Sequence, residues 1–236
     1  MYKPLPSLRE TRSFCGQTLR AVLDATNEQI GGSPALGGRV WLLPKFYAHC
    51  LNNNREAGVL GCEYVAYLTK WPRMYRAASV AGDVRRGDHR IRWVPRKGLP
   101  GRITFGNQPF CIQMNSDWPS HLESMSKREW QSSVDAKHRE GRTLKDARSL
   151  KSLYGSAVGV PLIDARYGAR IGCMIVHSPR ERTLSDVQRD VILELMYARA
   201  PVLAREIVEV VRYDFKYAEA HAASRLEDQI QTSEER

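Results

Sequence analysis

Long apolar runs are missing from the 236 residues. With no stretch of about 18 consecutive apolar residues, nothing in the sequence reads as a membrane span. The opening residues, Met1-Tyr2-Lys3-Pro4-Leu5-Pro6, lack the apolar core of a secretory signal, so the expected compartment is the cytoplasm. Cysteine is scarce: there are five, an odd number with no Cys-x-x-Cys spacing, which excludes a disulfide framework and fits reduced thiols. The one loose group of metal-type residues, His49, Cys50, Cys62 and His89, matches no zinc spacing. A Walker phosphate loop, a Gly-x-Gly-x-x-Gly helix opening and a Ser-His-Asp arrangement in a recognisable turn are also missing. These absences remove the commonest nucleotide-binding, hydrolytic and metal-dependent classes.

Positive charge is abundant. The formal net charge is +10, and it is concentrated between Lys70 and Arg102, where ten Lys or Arg stand against Asp83 and Asp88. Two readings follow: a solvated loop and edge-strand face that keeps the chain soluble, or an anion site for a phosphorylated ligand, an acidic partner or nucleic acid.

Periodicity supplies the elements. Apolar residues at Leu8, Cys15, Leu19, Val22, Leu23 and Ile30 recur at helical steps, with Ser7 as a cap and Gly31-Gly32-Ser33-Pro34 as a stop. Strands are expected over Arg39–Leu43, Glu63–Thr69 and Tyr75–Val80, with Phe46–Gly61 as an insertion. Ser120 to about Ala136 reads as a helix, and His138–Ser152 as a polar, mobile segment. Ser185-Asp186-Val187-Gln188 is a capping box opening a long helix, which Pro201 should kink or interrupt. The organisation is one domain, residues 7–212, between a lead-in at 1–6 and a polar tail at 213–236.

Two pieces frame the middle of the chain. The first, Ile91 to Ile112, gives a strand, the Gly98-Leu99-Pro100-Gly101 turn, a helical stretch ended by Gly106-Asn107, and a second strand. The second is the hairpin of Ser156-Ala157-Val158-Gly159-Val160-Pro161-Leu162-Ile163-Asp164 and Arg170-Ile171-Gly172-Cys173-Met174-Ile175-Val176-His177-Ser178, turning at Tyr167-Gly168. Together they resemble a GAF domain. The resemblance implies an α/β fold of α+β type: an antiparallel sheet with the N- and C-terminal helices on one face and a covered ligand pocket on the other.

The resemblance also narrows the chemistry. Cyclic-nucleotide-binding members carry Asn-Lys after the last strand, where this sequence has His177-Ser178-Pro179-Arg180. Bilin-binding members use a cysteine followed closely by histidine, whereas His49-Cys50 has the reverse order and falls in the apparent insertion. Methionine-sulfoxide-reducing members need a cysteine at the first glycine-rich turn, where Pro100 stands, so no enzyme activity is expected. What remains is a non-enzymatic sensory or regulatory domain. It would bind a small molecule, anionic in one reading, and signal through its terminal helices to a separate output protein. The alternative is an interaction module that docks an acidic protein or nucleic acid on residues 70–102. No cofactor is named by the sequence.

The residues expected at the pocket are Trp93, Arg102, Trp118 and Trp130. Tryptophans supply flat apolar walls, and an arginine at the start of a helical turn can hold a carboxylate or phosphate. His177 reads as a partly buried, hydrogen-bonded histidine, and Cys111 and Cys173 as small core residues. A homodimer is expected through Leu19, Val22 and Leu23 of the first helix and Val202, Ile207, Val208 and Val211 of the last.

Overall fold

The two apolar strands around Val158 and Met174 pair with each other and set the frame. The structure is a computed structural model that describes residues 6–30, 36–43, 74–80, 93, 97–106, 108–166, 168–180 and 182–211. In chain order the elements are α1 (Pro6–Ile30), β1 (Gly37–Leu42), β2 (Tyr75–Val80), α2 (Gly98–Phe105), β3 (Cys111–Met114), α3 (Lys127–Ser133), α4 (Ala136–Arg139), α5 (Leu144–Lys151), β4 (Tyr154–Asp164), β5 (Ala169–Pro179) and α6 (Asp186–Val211). The strand expected at Glu63–Thr69, the insertion at Phe46–Gly61, the strand opening at Ile91 apart from Trp93, the lead-in apart from Pro6, which opens α1, and the tail lie outside the described residues, as do Cys50, Cys62 and most of the basic stretch.

The strands form one antiparallel sheet of order β2-β1-β5-β4-β3. Val158 faces Val176 and Val160 faces Met174 across the hairpin, while Val40 and Trp41 pair with Met174 and Cys173 on the other side of β5. The hairpin turns at Gly168, whose φ of 60 suits glycine. Strand β5 is central and buried on both faces, which explains its nearly continuous apolar sequence.

Alternation sorts the side chains. A Cβ on Gly38 would meet Leu19 of α1, so Gly38, Val40 and Leu42 face the terminal helices; a Cβ on Gly159 would meet Ile103 of α2, so Ala157, Gly159 and Pro161 face the other way. Helices α1 and α6 pack on one another and on the first face. The sheet, the paired terminal helices and the covered opposite face make this an α+β fold, in the arrangement that the sequence resemblance implies.

The apolar stripes cited for a dimer are consumed inside the chain. Leu19, Val22, Leu23, Ile207 and Val208 are all buried, while Val202 is 45 % exposed. Pro201 does not interrupt α6, which runs unbroken to Val211. Pro201 sits on the solvent side with Tyr197, so water can take the carbonyl that its missing N–H leaves free. The capping box before α6 forms as expected, with Gln188 N–H donating to Ser185 Oγ and Ser185 N–H to Gln188 Oε1.

Three local expectations differ from the structure. The Gly98 to Gly101 segment is the first turn of α2 itself, entered through Gly98 at φ 57. Residues 120–136 make turns first, and α3 begins only after Ser126, whose capping box with Glu129 fixes the start. The segment 138–152, expected to be mobile, contains α5, capped by Thr143 and Asp146 and anchored by the buried Leu144, Ala147 and Leu150. Its polar composition hid a stripe recurring at three-residue steps.

Cys15, Cys111 and Cys173 are free and buried. Burial pushes the Cys15 and Cys173 thiols up to about 12 and raises Cys111 as well. All three are therefore expected to resist alkylation in the native protein and to react only after unfolding. Peptide mass spectrometry after a short iodoacetamide pulse checks this, and rapid native labelling of Cys173 would contradict the packing.

Candidate functional site

The sheet face opposite the terminal helices carries a cavity of about 40 Å³. That is room for roughly three water molecules, each of which needs about 10–15 Å³. Its floor is built from β1, β3, β4 and β5 through Arg39, Trp41, Gln113, Ala157, Ile175 and His177, and its cover from α2, Trp118 and α5 through Leu99, Pro100 and Leu150. The elements reach this arrangement for local reasons. Arg39 and Trp41 are alternate residues of one strand, and the antiparallel register puts Arg39 beside Ile175 and Gly37 beside His177.

The polar groups are concentrated at one end. Arg39 Nη1 donates to Tyr154 Oη, and its guanidinium carbon lies 5.4 Å from the Tyr154 ring centre. The Tyr154 and His177 rings are 4.6 Å apart. Burial lowers the Arg39 guanidinium from its ordinary value; Tyr154 offsets part of this, and Arg76 adds to the lowering. Burial, and then Arg39 beside it, push the imidazole of His177 down to about 3, so it is neutral at physiological pH. No acidic side chain lines the cavity among the described residues.

His177 is 2 % exposed, and neither ring nitrogen has a hydrogen-bond partner among the described residues. Trp93, 3 % exposed, likewise leaves its indole N–H unpartnered among the described residues. Unmade hydrogen bonds on buried groups cost about 1–3 kcal/mol each, so two such side chains in one cavity mark a place where polar ligand atoms would be stabilised. Trp41 and Trp93 meet edge to face with ring centres 5.9 Å apart, giving that place a rigid aromatic wall.

The four residues expected from sequence are divided by the structure. Trp93 and Trp118 line the cavity. Trp130 stacks behind Trp118 at 6.4 Å and donates its N–H to Arg142 O at 3.3 Å, which places it in the second layer of the cover. Arg102 is not among the lining residues; it pairs with Glu140, which also holds Arg142. Arg142 in turn lies over the Trp118 ring at 4.3 Å, so this ionic group fastens the cover. Arg39, Tyr154 and His177 were not anticipated as site residues. His177 is also not the partly buried, hydrogen-bonded histidine expected, because the β1 and β4 neighbours enclose it while offering its nitrogens nothing. Arg39, a charged residue inside an otherwise apolar strand, was the one signal available.

A hydrogen-bonded junction joins the cavity to α6. Leu184 N–H, just before the helix cap, donates to Ser156 Oγ at 2.9 Å, and Ser156 N–H donates to Ser178 Oγ at 3.0 Å. Ser156 itself lines the cavity.

Among the described residues no helix is long and apolar enough to cross a membrane, and no three His, Cys, Asp or Glu converge as a metal site. No family model matches the sequence, and no curated protein matches it. Among solved structures, the chain is similar to the blue-light-absorbing form of the Thermosynechococcus elongatus PixJ GAF domain, with 12% identity, a TM-score of 0.40, and coverage of 94% of this chain and 96% of that one. It is similar also to the phycoerythrobilin-bound GAF domain of a cyanobacterial phytochrome, with 13% identity, a TM-score of 0.39, and coverage of 88% and 97%. At these levels neither structure carries a residue role over to this chain.

Proposed function

We propose that this chain is a non-enzymatic sensory domain that binds a small molecule in the cavity bounded by Trp93, Trp118 and His177. The observation that carries the reading is the pair of buried, unpartnered polar groups, the His177 imidazole and the Trp93 indole N–H, in one aromatic-walled cavity. A neutral imidazole offers one donor and one acceptor, and the indole a second donor. A flat ligand with a hydrogen-bonding edge satisfies all three. The Arg39 side of the cavity, without acidic lining, favours an anionic group on that ligand. A molecule larger than a few heavy atoms must displace the cover, and that displacement is the signal. Ser156 carries it to the start of α6, from which a separate cytoplasmic output protein reads it.

Native mass spectrometry of the purified chain tests this. The expected spectrum shows added mass that leaves on denaturation, and the released molecule raises the melting temperature when added back. A native mass equal to the polypeptide's, with no melting shift from a panel of small aromatic carboxylates and heterocycles, would end the reading.

A homodimer through the terminal helices is part of the same proposal, with Val187, Tyr197 and Val202 among the exposed apolar residues of α6. Light scattering at high micromolar concentration is expected to report a dimer. A monomer there removes it.

A further inference from the structure

Outside the cavity, on the far side of its cover, α3, α4 and α5 enclose a groove of about 660 Å³. Five cations line it, Lys127, Arg139, Arg142, Lys145 and Arg148, and no acidic side chain does so among the described residues. We propose that this groove binds a small molecule carrying a di- or triphosphate, at a site separate from the cavity.

Three observations support the assignment. First, four of the five cations lack a carboxylate partner among the described residues. Of the five, only Arg142 pairs with a carboxylate; Lys127, Arg139, Lys145 and Arg148 have no carboxylate partner among the described residues. The nearby acids are engaged elsewhere: Glu140 holds Arg102 and Arg142, Asp146 holds Lys97 at 2.9 Å, and Glu129 faces His121 at 3.3 Å.

Second, part of the cationic surface is rigid before any ligand arrives. Arg148 donates from Nε to Leu122 O at 3.0 Å and from Nη2 to Met125 O at 2.6 Å, so its charge is fixed in place by neutral acceptors and not cancelled. Arg142, 6 % exposed, lies over Trp118, donates to Arg139 O and His138 O, and leaves Nη1 without a partner among the described residues. Burial lowers this guanidinium, Glu140 and Asp146 offset part of that, and Arg102 adds to it. A fixed guanidinium with an open donor is the group that holds phosphate oxygens best.

Third, the size suits a small ligand. A volume near 660 Å³ lies within the range of about 300–1,000 Å³ typical of small-molecule pockets. Several separated cations in that space match several linked phosphates better than one.

The experiment titrates the whole chain with sodium tripolyphosphate at low salt, by calorimetry. The variant Lys127→Glu/Lys145→Glu removes two groove charges at exposed sites in the first turns of α3 and α5, where glutamate is compatible with the helix. The control Arg20→Glu/Arg205→Glu makes the same change in net charge at exposed positions on α1 and α6. Melting curves establish that both variants fold. Saturable binding is expected in the wild type and the control, weakened about tenfold or more in the groove variant. Equal weakening in both variants, no saturable binding at millimolar tripolyphosphate, or retention of a random DNA duplex without tripolyphosphate binding would each overturn the assignment. Occupancy of the cavity is not involved in any of these outcomes.

Discussion

Gly172→Ala is expected to lower stability by about 3 kcal/mol or more, enough to leave much of the chain unfolded or insoluble. A Cβ at that position would stand 2.1 Å from the carbonyl oxygen of Trp41 and 3.0 Å from the Cα of Leu42. Those are backbone atoms of β1, which cannot step aside, because β2 holds that strand from its other edge. Strand β5 cannot shift either, since Gly172 is also in register with Leu162 of β4. The same chemical change has the opposite sign elsewhere. Gly16, inside α1 with nothing within 4 Å of its Cβ position, should gain about 0.5–1 kcal/mol on becoming alanine. Urea denaturation of both variants checks the contrast, and a Gly172→Ala protein as stable as the parent would contradict the sheet register.

His177→Phe is expected to stabilise the empty protein while abolishing ligand binding. The imidazole is buried with no hydrogen bonds among the described residues, so replacing it by a ring of similar shape removes a penalty of about 1–3 kcal/mol. For a chain of this size that corresponds to a rise of about 2–4 °C per kcal/mol. The gain should grow in acid. Above pH 6.5, the ordinary value for histidine, both folded and unfolded chains carry a neutral imidazole. Below it the unfolded chain takes up a proton that the folded chain refuses until about pH 3. The unfolded state then binds more protons, and the parent loses up to about 1.4 kcal/mol per pH unit through this one group as pH falls. The phenylalanine variant has no such group, so the stability difference should widen between about pH 6.5 and 4. A variant that is less stable at pH 7, or a gap that stays constant in acid, would show that His177 serves packing and not recognition.

The parts of this fold legible in the sequence were those written over short distances. The hairpin around Gly168, the helix Pro6–Ile30 and the Ser185–Gln188 cap each depend on residues within a turn or two of one another. Trp93 and Trp118 were legible for a related reason, since they flank the glycine-containing segment of the GAF-like pattern. The polar end of the cavity was not legible. Arg39 and Tyr154 meet across a separation of 115 residues, and the meeting depends on β1 choosing the outer edge of β5, which no local pattern specifies. Arg102 lies off the cavity because its partner, Glu140, arrives from a segment 38 residues away that composition alone marks as loose.

The single hydroxyl of Ser156, shared between the cavity wall and the amide of Leu184, would bound the gain of the proposed sensor. If that bond is the route, the most a ligand can transmit through it is what the bond contributes, about 0.5–1.5 kcal/mol. On the equilibrium of α6 this is a factor of roughly two to twelve, whereas throwing a balance from one extreme to the other takes about 5.5 kcal/mol. A sensor wired in this way behaves as a rheostat: its output follows ligand concentration in proportion and does not latch.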